Sequence, residues 1–215
     1  ILAEFRNSGV MSTAMRRLTH YFSPYQTYVI AAAEDERGRF DMRVAIEILR
    51  HEAAYLAERP TREGLFMYQF ETLCRNRLRY DRGLDAISAD PMYNEDWREW
   101  IQTVRSQIGI VDFADLIYVR SEEYLRRRTR ASESPPTPEK PLLFGEKEGK
   151  IAWANRQKDP MYLFAALQRH LGYPTAPRIK RLDEAREQIP LILRRLERME
   201  TRIKLLEEEA RQGLD

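Results

Sequence analysis

Little in this chain suits cross-linking, metal capture or membrane passage. Among 215 residues there is one cysteine, Cys74. A single thiol forms no internal disulfide, which points to a reducing compartment. Set in an apolar helical pattern, Cys74 reads as a small buried hydrophobe rather than a nucleophile. Histidine is scarce too, with only His20, His51 and His170. Glu47 and His51 are four residues apart on one helical face, but a metalloprotease helix needs a second histidine where Tyr55 stands. The paired Glu-x-x-His motifs of a di-iron bundle are missing. No metal or cofactor is expected, and the histidines read as helix-surface or interface residues. No apolar run approaches the ~20 residues of a membrane span, and no secretory leader pattern is visible. The expectation is a cytoplasmic chain with no membrane partner.

Strong net charge is also absent. Lysine and arginine total 36 against 34 acids. Acids and bases balance at 20 each up to Arg130 and at 9 each from Ile179 onward. No region carries a field that by itself nominates a polyanion. The first lysine is Lys140, and 30 of the 36 bases are arginine. An excess spread so evenly reads as codon bias rather than selection for bidentate phosphate contacts.

What the chain does have is hydrophobic helical periodicity. Hydrophobic residues make up 43%, with eleven Tyr, eight Phe and three Trp, which supports a packed core and excludes disorder as the general state. Ser12 is placed to cap a short helix through Met15, Leu18 and Tyr21. Ser23-Pro24 is a clearer start, leading Tyr25, Val29, Ala32 and Ala33 toward a C-cap at Gly38. Asp41 opens the next helix, with Ala45, Leu49, Ala53 and Leu56 on one face and Pro60 beyond it. Thr61 caps a third, with a stripe of Phe66, Phe70, Leu73, Cys74 and Leu78. Residues 81–93 read as irregular, with Gly83 and Asp90-Pro91 as turn signals. Asn94 starts a clean helix through Trp97, Trp100, Ile101, Val104 and Ile108, stopped by Gly109. Asp112 reads as a further cap, and helix is preferred over strand at 116–119. The fold class is all-α.

Four prolines fall between Ala131 and Pro141, so that stretch is expected to be extended and exposed. It divides a helical domain, 1–130, from a short helical segment, 142–178. In that segment the apolar runs 142–144 and 151–153 flank a Gly-Glu-Lys-Glu-Gly-Lys stretch. This fits either a small β-hairpin or a loop entering a helix. The glycines are too close together, and too acidic between them, for a phosphate-binding loop. A solvated turn is expected there instead. Asp159-Pro160 starts a helix through Leu163, Phe164, Leu167 and Leu171, ended by Gly172.

The most specific pattern is in the last segment, 179–215. Ile189, Ile192, Leu196, Met199, Ile203 and Leu206 recur at alternating steps of three and four, the seam of a heptad repeat. With Ile189, Leu196 and Ile203 at a, the flanking positions set Arg195 against Glu200, and Arg202 against Glu207, of a parallel partner. Pro190 shortens the repeat, and Leu191, Leu193 and Leu205 widen the stripe. Self-association and docking on the chain's own helices therefore fit the pattern equally well.

Two basic runs are candidates for polyanion contact: Arg126, Arg127, Arg128 and Arg130, and then Lys147, Lys150, Trp153, Arg156 and Lys158. The first also suits a helix C-terminus, where cations meet the negative end of the dipole. The second combines cations with a stacking ring. Asp112, Asp115, Glu122 and Glu123 are near in sequence, but nothing pairs them with a nucleophile, and no catalytic residue is assigned. The functional expectation is a non-enzymatic interaction or scaffold protein, assembling with a protein partner or with itself through the C-terminal helix. A nucleic-acid-associated protein ranks second, and an enzyme of unknown reaction third.

Overall fold

The computed structural model describes residues 9–35, 40–58, 60–131 and 140–178, together with positions 193, 196 and 199. The chain forms two compact units, Ile1–Arg178 and Ile179–Asp215. Among the described residues every named element is a helix, and the only β pairing is two isolated bridges.

The first unit is built around one buried helix. In order, its helices are α1 (Met11–Arg17), α2 (Pro24–Glu34), α3 (Met42–Ala57), α4 (Arg62–Asn76), α5 (Tyr80–Ser88), α6 (Glu95–Gln107), α7 (Phe113–Tyr118), α8 (Glu122–Ala131), α9 (Glu146–Ala154) and α10 (Pro160–Leu171). Every residue of α4 from Gly64 to Leu73 is buried. A helix covered on all sides must be ringed by others, and α3, α5 and α10 all pack on it. The sequence pattern shows a single stripe on α4. The structure buries the rest of the helix by giving its polar side chains internal partners. Gln69 and Glu71 are both buried and hydrogen-bonded.

Aromatic rings fill one side of that axis. Phe66 of α4 meets Trp97 and Trp100 of α6 and Phe113 of α7. Phe70 reaches Phe164 of α10, and Phe144 closes over both tryptophans. Such edge-to-face and tilted pairs add to the area they bury. The helices that follow the proline-rich stretch thus pack on those that precede it: α9 on α7 and α8, and α10 on α4. Positions 132–139 lie outside the described residues.

Most local start signals are realised. Ser23, Asp41, Thr61, Asn94, Asp112 and Asp159 each accept a backbone N–H in the first turn of their helix. Ser23 forms a full capping box with Gln26.

Four expectations are corrected. Ser12 does not cap α1 but is buried within it, and the carboxylate of Glu34 on α2 receives the amides of Met11 and Ser12. Helix α2 ends at Glu34, before Gly38, which lies outside the described residues. Residues 80–88 are helical rather than irregular. Gly83 marks a close approach there, not a turn, because a Cβ on it would stand 2.6 Å from a Leu73 methyl. Finally, residues 146–154 are helical instead of a hairpin or solvated turn, and Glu148 and Gly149 are buried. The strand-like run before them, ending at Phe144, forms one isolated bridge with Ser121, its Leu143 and Phe144 amides donating to the carbonyl of Arg120.

Cys74 is half-buried, and burial pushes its thiol up to about 12, which makes it a poor nucleophile at neutral pH.

Candidate functional site

The two basic runs, separate in sequence, meet in space because α9 packs on both α7 and α8. Glu123, in the first turn of α8, is only 2% exposed. Its carboxylate accepts from Arg127 Nε at 2.7 Å and lies 3.0 Å from Arg126 Nη2. These are the i, i+4 and i, i+3 neighbours that a helix brings together. Arg126 also crosses to α9, with Nη1 2.9 Å from Glu146. Glu146 in turn accepts from Lys150. The Arg127 hydrogen bond holds the Glu123 carboxyl below its ordinary range, and the Lys150 hydrogen bond does the same for Glu146.

Over this ion-pair layer sits an arginine and aromatic face. Trp153 is 37% exposed, with the guanidinium carbon of Arg156 3.6 Å and that of Arg127 4.4 Å from its ring centre. Tyr118 packs beside Trp153 at 4.7 Å and meets Tyr124 at 5.4 Å. Arg128 lies over the Tyr124 ring. Arg156 is 3.4 Å from Asp115. Cation–π contacts of this kind contribute roughly 0.5–2 kcal/mol each, depending on desolvation.

The cations of the two basic runs fall into two groups. Arg126, Arg127, Lys150 and Arg156 are held by carboxylates. Arg128, Arg130, Lys147 and Lys158 make no ion pair with a described carboxylate. Sequence reasoning missed Tyr118 and Tyr124 as members and Glu123 and Glu146 as neutralising partners. The pairing of Glu123 with Arg126 and Arg127 follows helical spacing within α8, whereas the pairing of Arg126 with Glu146 is decided by the α8–α9 contact.

No family model, curated protein or solved structure matches the chain.

The other candidate surface is the heptad seam. Ile189, Ile192, Ile203 and Leu206 lie outside the described residues. Leu196 and Met199 are described, both are helical, and they are 50% and 56% exposed; neighbouring Leu193 is 52% exposed. Elsewhere, among the described residues, no group of three or more metal-ligating side chains converges, and no helix is long and apolar enough to cross a membrane. His51 has its Nδ1 3.2 Å from the carbonyl of Thr175, and His170 pairs with Glu148 at 2.7 Å.

Proposed function

We propose that this chain is a non-enzymatic scaffold that assembles through its C-terminal helix. The observation that carries this reading is the open flank at Leu196 and Met199, two seam positions that are helical and half exposed in the single chain. Burying a leucine or methionine side chain contributes about 1.5–3 kcal/mol, so an open run of them favours a partner. A second copy supplies a matching stripe, and the Arg195–Glu200 and Arg202–Glu207 pairs suit a parallel arrangement. The assembly belongs to the cytoplasm.

Analytical ultracentrifugation across a range of concentrations tests this. Wild type should sediment as an oligomer. The Leu196→Glu, Ile203→Glu pair should give a folded monomer, because a buried unpaired charge costs several kcal/mol by order of magnitude. A wild-type chain that stays monomeric at every concentration overturns the reading.

A second reading has its own observation. The joining of two basic runs around Trp153 forms a surface where Arg127 and Arg156 stack on Trp153 and Arg128 on Tyr124. That combination suits single-stranded nucleic acid. Binding to a homopolymeric RNA should then weaken steeply with salt and fall further on Trp153→Ala. Absence of salt-dependent binding removes this reading and leaves the scaffold reading untouched.

A further inference from the structure

Beyond the surfaces, the core of the first unit holds a carboxylate that neither reading uses. Glu52 of α3 is fully buried. Its Oε1 accepts from Gln69 Nε2 of α4 at 2.7 Å, and its Oε2 accepts from Gln26 Nε2 of α2 at 3.0 Å. Among the described residues no Lys, Arg or His nitrogen pairs with it. The groups that face it carry no positive charge. They are Tyr25 from α2, Tyr68 from α4, and Asp90 and Tyr93 from the connection between α5 and α6. Of the two arginines of α4, Arg62 donates to the carbonyl of Met92 and Arg75 is engaged by Glu71.

The two glutamines are not equivalent. Gln26 Oε1 accepts the backbone N–H of Ser23 and so completes the α2 capping box. A backbone amide only donates, so Gln26 cannot turn over without opening that cap. Gln69 Oε1 instead accepts the hydroxyl of Tyr93 at 2.8 Å. A phenol both donates and accepts, so Gln69 can invert while Tyr93 turns its hydrogen away.

We infer that Glu52 is a proton-binding site inside the helical core, loaded on Oε1, with Gln69 and Tyr93 as the pair that reverses when the proton arrives. In the empty state, both glutamines donate to the carboxylate. In the loaded state, the Oε1 hydroxyl donates to Gln69 Oε1, and the inverted amide donates to Tyr93. The Gln26 bond and the α2 cap persist in both. Burial, which outweighs the two amide bonds, pushes the group up to about 7. The folded state therefore holds the proton more tightly than the unfolded chain, so the stabilisation is complete below the ordinary carboxylate range. It is lost as pH rises toward and through neutrality.

The test uses the full chain. Between pH 5 and pH 8 the folding equilibrium constant of wild type should fall roughly fifty- to a hundredfold relative to that of Glu52→Gln, whose amide cannot ionise. Equal pH dependence in the two overturns the proposal. Carbon-13 resonances of wild type supply a readout that does not depend on the variant folding. The Glu52 carboxyl should titrate near neutrality, and Tyr93 Cζ should shift with the same midpoint. A carboxyl that titrates in the ordinary range overturns the site, and a Tyr93 resonance flat across that midpoint overturns the relay.

Discussion

The phenolic oxygen of Tyr173 lies 2.9 Å from Oε2 of Glu71 and donates to it, although 102 residues separate the two in the chain. Arg75 Nε takes the other carboxylate oxygen at 2.5 Å. Asn76 Nδ2 donates to the carbonyl of Pro177 at 2.8 Å. The extended stretch after α10 is thereby fastened across α4. Burial, helped by the Glu71 charge, drives the Tyr173 hydroxyl well above its ordinary range, so it stays a donor at any working pH. Tyr173→Phe leaves a buried acceptor short of a partner and should destabilise the unit by about 1–3 kcal/mol. Urea unfolding checks this against Tyr162→Phe, at an exposed ring, which should stay within about 0.5 kcal/mol of wild type.

Gly149 makes a prediction whose sign separates packing from propensity. Within a helix, Gly→Ala by itself stabilises by about 1 kcal/mol. Here the new Cβ would stand 2.2 Å from Ser121 Oγ and 2.8 Å from Glu123 Cβ. The overlap forces α9 away from the start of α8, and overpacking of this kind costs about 1–3 kcal/mol. Gly149→Ala should therefore lower the thermal midpoint. A raised midpoint would show that the α8–α9 contact gives way without strain.

Glu123 predicts an acid-side pH dependence. Its carboxyl is held below the ordinary range by the Arg127 hydrogen bond and by the charges of Arg126 and Arg127. A depressed folded value means that the contribution is complete above the ordinary carboxylate range, and is lost as pH falls through the folded value. Glu123→Gln should be less stable than wild type at neutral pH, with the gap closing as the medium is acidified. A gap of constant size from neutral pH into the carboxylate range would show that the ion pairs add nothing beyond shape.

Helix caps were legible because they are local. Asp41, Thr61, Asn94, Asp112 and Asp159 each satisfy an amide two or three residues ahead, so spacing alone reveals them. Glu34 was not legible as the cap of α1, since it reaches back 22 residues to Ser12. Gly83 and Gly149 misled for a related reason. A glycine reads as a turn when only its own backbone is considered, and as a contact when Leu73 or Ser121 is set against it. The basic runs were each visible, but their merger around Trp153, and the pairing of Arg126 with Glu146 across two helices, were not.

The sequence by itself determined the all-helical class, most helix starts and the aromatic content of the core. These follow from side-chain periodicity and from hydrogen bonds that close within a turn. Only the tertiary structure decided that α4 is the axis, that Glu52 is buried without a cation, and that Tyr173 meets Glu71. Each of these depends on which distant helix covers a given face. Burial and partner choice set the charge, hydrogen bonding and proton affinity of a side chain, and no local pattern encodes them.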